Sequence, residues 1–263
     1  IYSPKSLMAK RYLLRDRLSM KLSNIVIFLN NAEKKHFIQS VGLKQNNIKS
    51  VSVPLVIGEK KAANLKFFKE EREEIFLCWT GSYIALQGLD CIIDAMDVLR
   101  SKKFVGKLYI IGPSGEKEEY YKNKVKEKDL GNYIEFKMLW GNLKEWEEFI
   151  ANNCDISLGI FGNSEKAKCV VANKVIDGIA SKTPVITGKS KGIDIYFNQV
   201  HDIYTVNNNP YDLADKIIEV KNKSYEEVKK NIDNAYVIYK QFFSETAYKY
   251  GMDSVFSILE GDK

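Results

Sequence analysis

Residues Leu158–Asp177, LGIFGNSEKAKCVVANKVID, hold the densest set of chemistry-bearing side chains in the sequence. An apolar run feeds Gly159-Ile160-Phe161-Gly162. A polar loop then carries Glu165, Lys166 and Lys168, and a helical pattern opens near Asn173-Lys174-Val175, with Asp177 one turn in. A helix start offers free N–H groups and the positive end of the helix dipole, which suits phosphate. Lys166 and Lys174 would add full charges for a diphosphate. The same residues also fit a solvated loop and an Asn-capped helix; the density of Gly, Lys and Asn at a strand end favours the anion site. Thr80-Gly81-Ser82 follows another strand pattern, and Gly112–Gly115 (GPSG) a third. Glycine permits close backbone approach to a ligand, or simply a turn. Neither segment is a G-x-G-x-x-G fingerprint or a P-loop. Trp140-Gly141 offers a flat aromatic face that would stack a nucleobase or pack at the surface.

Other residue types point away from rival chemistries. His36 and His201 are isolated, and Cys78, Cys91, Cys154 and Cys169 form no CxxC pair and neighbour no histidine. Structural zinc, a disulfide scaffold and thiol catalysis are therefore not expected, nor is a catalytic metal. A net charge of +6, from 40 Lys+Arg against 34 Asp+Glu, fits an anionic ligand without requiring nucleic acid, and no nucleic-acid motif is present.

The elements that must position these residues follow from hydrophobic periodicity. Strands are expected at Asn24–Leu29, Ile48–Val53, Ile75–Trp79, Lys107–Ile111, Tyr133–Lys137, Ile156–Ile160, Pro184–Thr187 and Ile203–Val206. Helices are expected at Leu7–Leu22, Ala32–Val41, Leu89–Ser101, Glu116–Lys128, Leu143–Asn152, Lys174–Ser181 and Pro210–Asn222, with two more over Tyr225–Leu259. The last six strands alternate with helices, which predicts a doubly wound, Rossmann-like parallel α/β sheet with ligands at the carboxyl ends of its strands. The first two strands are too few for an independent sheet. Residues 1–56 therefore read as the end of an incomplete N-terminal α/β domain whose beginning lies upstream of Ile1. Residues 57–74 are Lys/Glu-rich without a clean period and read as a linker or mobile connection.

The 263 residues are 45% hydrophobic and 28% charged, an ordinary globular balance. Apolar runs such as Ile156–Phe161 fall far short of the ~20 residues that cross a bilayer. No signal pattern opens the chain. The helix Leu7–Leu22 is basic, with Lys10, Arg11, Arg15, Arg17 and Lys21 against Asp16, so a membrane-facing surface competes with ordinary solvation.

Two segments carry a family resemblance. Ile75–Leu99 (IFLCWTGSYIALQGLDCIIDAMDVL) is similar to the strand–glycine loop–helix that opens the C-terminal domain of GT4-type retaining glycosyltransferases of the GT-B fold. Leu158–Gly188, with its NKVIDGIASKTPVITG ending, is similar to that family's donor-sugar and diphosphate signature. The resemblance covers about residues 75–220. It implies two Rossmann-like domains around a cleft: residues 75–235 would bind the nucleotide sugar, and 236–263 would cross back to the N-terminal acceptor domain.

By that resemblance Asp177 takes the place of the second acid of an E-x7-E pattern, which binds ribose hydroxyls. Cys169 stands where the first acid would be, leaving Glu165 to approach the sugar. Ser82 and Gln87 replace an Arg and a Lys that commonly contact diphosphate, and Lys166, Lys168 and Lys174 would stand in for them. Gly81, Ser82, Gly112, Trp140, Phe161, Gly162, Asn173 and Val175 complete the expected donor site, with Lys166 and Glu165 as the catalytic pair.

The implied reaction moves a hexosyl group, with retention, from a nucleoside diphosphate sugar to a saccharide or lipid-linked acceptor, without a cofactor. Bacterial surface-polysaccharide synthesis in the cytoplasm, with peripheral contact at the inner face of the membrane, is the expected setting. A nucleotide-sugar epimerase of the same fold and a non-catalytic nucleotide-binding partner are the alternatives.

Overall fold

A computed structural model describes residues 6–70, 72–198 and 201–261. Its elements are α1 (Leu7–Leu22), β1 (Val26–Phe28), α2 (Asn31–Ser40), β2 (Ser50–Ser52), α3 (Lys66–Glu70), β3 (Ile75–Thr80), α4 (Leu89–Ser101), β4 (Gly106–Ile111), α5 (Glu116–Glu127), β5 (Ile134–Lys137), α6 (Leu143–Asn153), β6 (Ile156–Leu158), α7 (Asn173–Ala180), β7 (Val185–Gly188), α8 (Ile193–Tyr196), β8 (Tyr204–Val206), α9 (Pro210–Lys221), α10 (Tyr225–Phe242) and α11 (Glu245–Glu260).

Six strands form one parallel sheet in the order β5-β4-β3-β6-β7-β8. The strand order reverses between β3 and β6, and such a switch point opens a crevice at the carboxyl ends. Both faces of the sheet are covered. Leu77 and Trp79 of β3 point into a cluster with Ile92, Met96 and Leu99 of α4 and Leu213 and Ile217 of α9. Cys78, between them, points the other way, toward Tyr109, Ile111 and Ile150 of α6. That alternation is the two-residue period of a strand, with apolar residues on both faces because helices lie on both. On α4, Leu89, Ile92, Ile93, Met96 and Leu99 recur at helical spacing and are all buried.

β1 and β2 form a separate two-stranded parallel sheet joined through α2. Its core is small, with Met20, Phe28, Ile38, Val41 and Ile48 buried together. α11 reaches it: Gly251 lies against Val53, and Lys49 Nζ donates to the carbonyl of Ile258 at 3.4 Å.

The described residues of the segment 57–74 are packed against the larger unit. Ala63, Leu65 and Phe68 are buried in the main core, and residues 66–70 form α3. Backbone bonds run from Ala63 N–H to Ser181 O (2.7 Å) and from Asn64 N–H to Ala151 O (2.8 Å). Asp155, at the start of β6, accepts from the N–H groups of Phe67 and Phe76 and from Arg72 Nη2 at 2.9–3.1 Å. The polar composition hid apolar residues, Ala63, Leu65, Phe67 and Phe68 among them, with no helical or strand period; such a stretch packs through its backbone as much as its side chains. α8 was also unforeseen, being a single turn. β6 stops at Leu158 rather than Ile160, since Ile160 N–H turns to Thr187 Oγ1 (3.2 Å).

Candidate functional site

A cavity of about 740 Å³ opens at the β3/β6 switch point. That is within the range of small-molecule sites. Five stretches line it: Leu29 and Glu33 from the two-stranded unit, Lys60 from the connecting segment, Thr80–Ser82 and Ile84–Gln87 after β3, the turn and helix start around Leu139–Trp146, and Lys166 with Val170–Lys174 and Asp177.

Gly81 ends β3 with its N–H on Ile111 O (2.9 Å). A Cβ there would stand 2.7 Å from Lys174 Nζ, 2.6 Å from Gln87 Oε1 and 2.7 Å from the Trp79 ring. The glycine thus lets Lys174 reach the floor of the cavity. Ser82 N–H donates to Gln87 Oε1 at 3.1 Å, so these two positions bring polarity but no charge.

Lys174, in the first turn of α7, is 7% exposed, and its ammonium sits 3.9 Å above the Trp79 ring. The Nζ is buried without a hydrogen-bond partner, and burial pulls its pKa well down. A buried amine without an acceptor is costly, and an anion would relieve that cost. α7 begins after Ala172, which has no side-chain acceptor to cap it. The expected Asn cap is therefore absent: Asn173 lies inside the helix as its first residue, which leaves first-turn N–H groups for a ligand. Lys166 lines the cavity from the preceding loop.

Asp177 lines the cavity one turn beyond Lys174. Burial pushes its carboxyl up to about 6, with Lys60 pulling it down and Glu147 adding to the rise. Lys60 Nζ lies 3.8 Å from Asp177 Oδ1 and 2.8 Å from Glu147 Oε1. Trp140 is half exposed at the rim, and Trp146 stands beside Lys60. Glu33 faces the cavity from α2, with its Oε2 buried and unpartnered.

Of the residues singled out in the sequence, Gly81, Ser82, Trp140, Lys166, Asn173, Lys174 and Asp177 share this cavity. The others lie elsewhere, each for a packing reason. Gly112 faces the Tyr83 ring, which a Cβ would meet at 2.4 Å. Phe161 is buried in the main core, its N–H on Gln87 O (3.1 Å), and Gly162 packs on the Leu86 carbonyl. Both brace the loop that faces the cavity. Val175 is fully buried beneath α7. Glu165 and Lys168 are exposed and pair with each other at 2.6 Å, away from the lining. Cys169 is buried, its carbonyl against Gly192.

Lys60, Trp146, Glu147 and Glu33 were not foreseen. Trp146 and Phe149 repeat at helical spacing on α6, a signal that reads only as packing; Lys60 sits in a lysine-rich stretch with no period to mark it. Among the described residues no group of three His, Cys, Asp or Glu could hold a metal, and no helix is long and apolar enough to cross a membrane. The arrangement combines a cationic floor for an anion, a carboxylate for hydroxyl groups and an aromatic rim for a flat ring.

The fold is a doubly wound α/β domain with a cavity at its switch point, and comparison with known proteins narrows its class. The glycosyl transferases group 1 family model matches residues 74–223, so the chain belongs to that family. No curated protein matches the chain. Among solved structures, sucrose-phosphate synthase from Thermosynechococcus elongatus superposes with a TM-score of 0.79 at 14% identity, over 98% of this chain and 65% of the synthase. HepE from Anabaena, crystallised with UDP and glucose, gives 0.75 at 15% identity, over 97% of this chain and 68% of HepE. The C-terminal domain of a group 1 glycosyl transferase from Francisella tularensis gives 0.54 at 16%, over 70% of this chain and 96% of that domain. These likenesses establish the GT-B type of α/β fold. The chain spans about two thirds of the synthase's length.

Proposed function

We propose that this chain carries the donor site of a retaining glycosyltransferase. It would move a hexosyl group from a nucleoside diphosphate sugar to a saccharide or lipid-linked acceptor in bacterial surface-polysaccharide synthesis, at or near the inner face of the membrane. One observation carries the reading: Lys174 stands buried and unpartnered at the start of α7, facing the cavity. A diphosphate supplies the acceptors that this ammonium and the first N–H groups of α7 lack. Asp177, further along α7, would accept hydrogen bonds from ribose hydroxyls. Trp140 would edge the base.

Departure of the diphosphate builds negative charge at its bridging oxygen. Lys174, buried at the helix start, would stabilise that charge with little reorganisation, and Lys166 would add its charge from the exposed loop. The acceptor would enter from the side of Leu29 and Glu33. A cofactor has no role in this scheme.

Thermal stabilisation by a panel of nucleoside diphosphates tests the reading, because a ligand of the native state raises the melting temperature by mass action. A shift with one base, lost in Lys174→Ala and Asp177→Ala, is the expected result. No shift with any member would overturn it. A specific observation keeps a second reading in view: the pairing of Ser82 with Gln87 leaves the first loop uncharged. A non-catalytic nucleotide-binding partner would bind the nucleotide yet show no sugar turnover with any acceptor.

A further inference from the structure

Lys60 belongs to no helix, strand or motif, yet its side chain joins three parts of the cavity. Its Nζ stands 2.8 Å from Glu147 Oε1 on α6, 3.8 Å from Asp177 Oδ1 on α7 and 5.1 Å from the centre of the Trp146 ring. Only 12% of the side chain is exposed. The backbone on both sides is tied down: Ile57 N–H donates to Phe243 O (2.9 Å), Tyr239 Oη donates to Ile57 O (2.9 Å), and Ala63 N–H donates to Ser181 O (2.7 Å). The ammonium is therefore delivered by a fixed stretch of chain. A long side chain that is already ordered loses little further freedom when a ligand arrives.

We propose that Lys60 is a positioning residue of the donor site, holding the Asp177 carboxylate ionised and in place to receive a donor's sugar hydroxyls. The identity of those hydroxyls rests on the function proposed above; the Lys60–Asp177 coupling does not.

The charged and titratable groups facing Asp177 come from three elements. Lys60 lies on the connecting segment, Glu147 on α6 and the Tyr239 phenol on α10. Lys174, on Asp177's own helix, turns away over Trp79. Two carboxylates thus share one ammonium. An ionised carboxylate offers two acceptor oxygens, whereas a protonated one gives up part of that capacity to its O–H. Lys60 and Glu147 consequently act on Asp177 with opposite signs. A side chain that merely filled space would show no such opposition.

The test is a carbon-13 NMR titration of the Asp177 carboxyl in the full chain, with its signal identified by its loss in Asp177→Asn. In the unaltered chain the midpoint is expected at about 6. Lys60→Met should raise it by roughly one unit, Lys60→Arg should restore it, and Glu147→Gln should lower it. An unchanged midpoint in Lys60→Met overturns the proposal. If Lys60→Met does not fold, a midpoint that fails to fall in Glu147→Gln overturns it equally.

Calorimetric titration of UDP, GDP and ADP into the same variants forms the second arm. Binding lost in Asp177→Asn, with its pH midpoint moved upward in Lys60→Met, supports the coupling and the site together. Binding that survives Asp177→Asn, or is absent for all three nucleotides, overturns the donor reading alone, and the NMR arm still decides the role of Lys60.

Discussion

The two parallel sheets follow the same strand–helix–strand grammar and end in different physical states. In the six-stranded sheet, five of the six residues of β3 are apolar, helices cover both faces, and Ile75, Leu77 and Trp79 are fully buried. In the two-stranded sheet each strand is three residues long, and every residue of β2 is only half-buried. α1 makes the contrast sharper. It has 16 residues and buries only Met20, leaving Leu7, Leu14, Leu18 and Leu22 exposed. Burying a leucine contributes about 1.5–3 kcal/mol, so the stability of the chain resides almost wholly in the larger unit. The cavity draws on both units, but its charged floor belongs to the stable one. A preorganised anion site needs that rigidity, because ammonium groups free to relax would solvate themselves.

The contrast can be attacked where it should be strongest. Asp155→Ala removes the acceptor shared by Arg72 and the N–H groups of Phe67 and Phe76, leaving a charge half-buried without its partner. The expected loss is about 3–5 kcal/mol, read by urea unfolding. A loss under about 1 kcal/mol would mean that the segment 57–74 is not part of the stable unit.

The next effect is a pH dependence. Asp177 keeps its proton up to about 6 in the folded chain, against an ordinary 3.8. Between those values the folded state binds more protons than the unfolded state. Stability therefore falls as pH rises through that window, by on the order of 3 kcal/mol relative to Asp177→Asn. Nucleotide binding should move the opposite way and strengthen as the carboxylate forms. Parallel pH curves for the wild type and Asp177→Asn in urea unfolding would contradict the burial of this group.

Lys174→Met separates function from stability within the larger unit. Removing a buried amine that has no acceptor should stabilise the free chain by about 1 kcal/mol or more, while nucleotide affinity drops at least about tenfold. Denaturant midpoints and calorimetry on one preparation measure both. Loss of stability and binding together would make Lys174 a packing residue.

The smallest effect belongs to α1. Leu14→Ala and Leu18→Ala should each change stability by less than about 0.5 kcal/mol, because these side chains remain in solvent. Leu77→Ala in β3 should cost several-fold more, about 3–5 kcal/mol. Comparable costs at the two places, by urea unfolding, would erase the distinction between the units.

The sequence made the periodic elements legible because periodicity reports which side of an element meets the core. α1 and α4 run over the expected residues, and the strands lie within about two residues of expectation. The parts of the cavity built from one contiguous segment were legible for the same reason: Lys174 and Asp177 share a helix, and Lys166 precedes it. Residues that enter the cavity from distant segments carried no such mark. Lys60 is placed by bonds to residues more than a hundred positions away, and Glu33 is one more acid on a polar helix. Gly112, Phe161 and Glu165 differ in the other direction, lying outside the cavity lining. A glycine or aromatic at a strand end has the composition of a ligand contact, but Tyr83, Gln87 and Lys168 had already taken those places.

The bonds that join Ile57 to Tyr239 and Phe243 also fix an order in time. The stretch that bears Lys60 leaves the ribosome first, and the helix that clamps it is made roughly 180 residues later. At a synthesis rate of about 5–20 residues per second, Lys60 waits on the order of ten seconds for that clamp. Until α10 emerges, the β3 strand and the lysine floor can assemble, but the wall beside Asp177 cannot close. A nascent or prematurely ended chain would thus carry a folded sheet with an unfinished mouth.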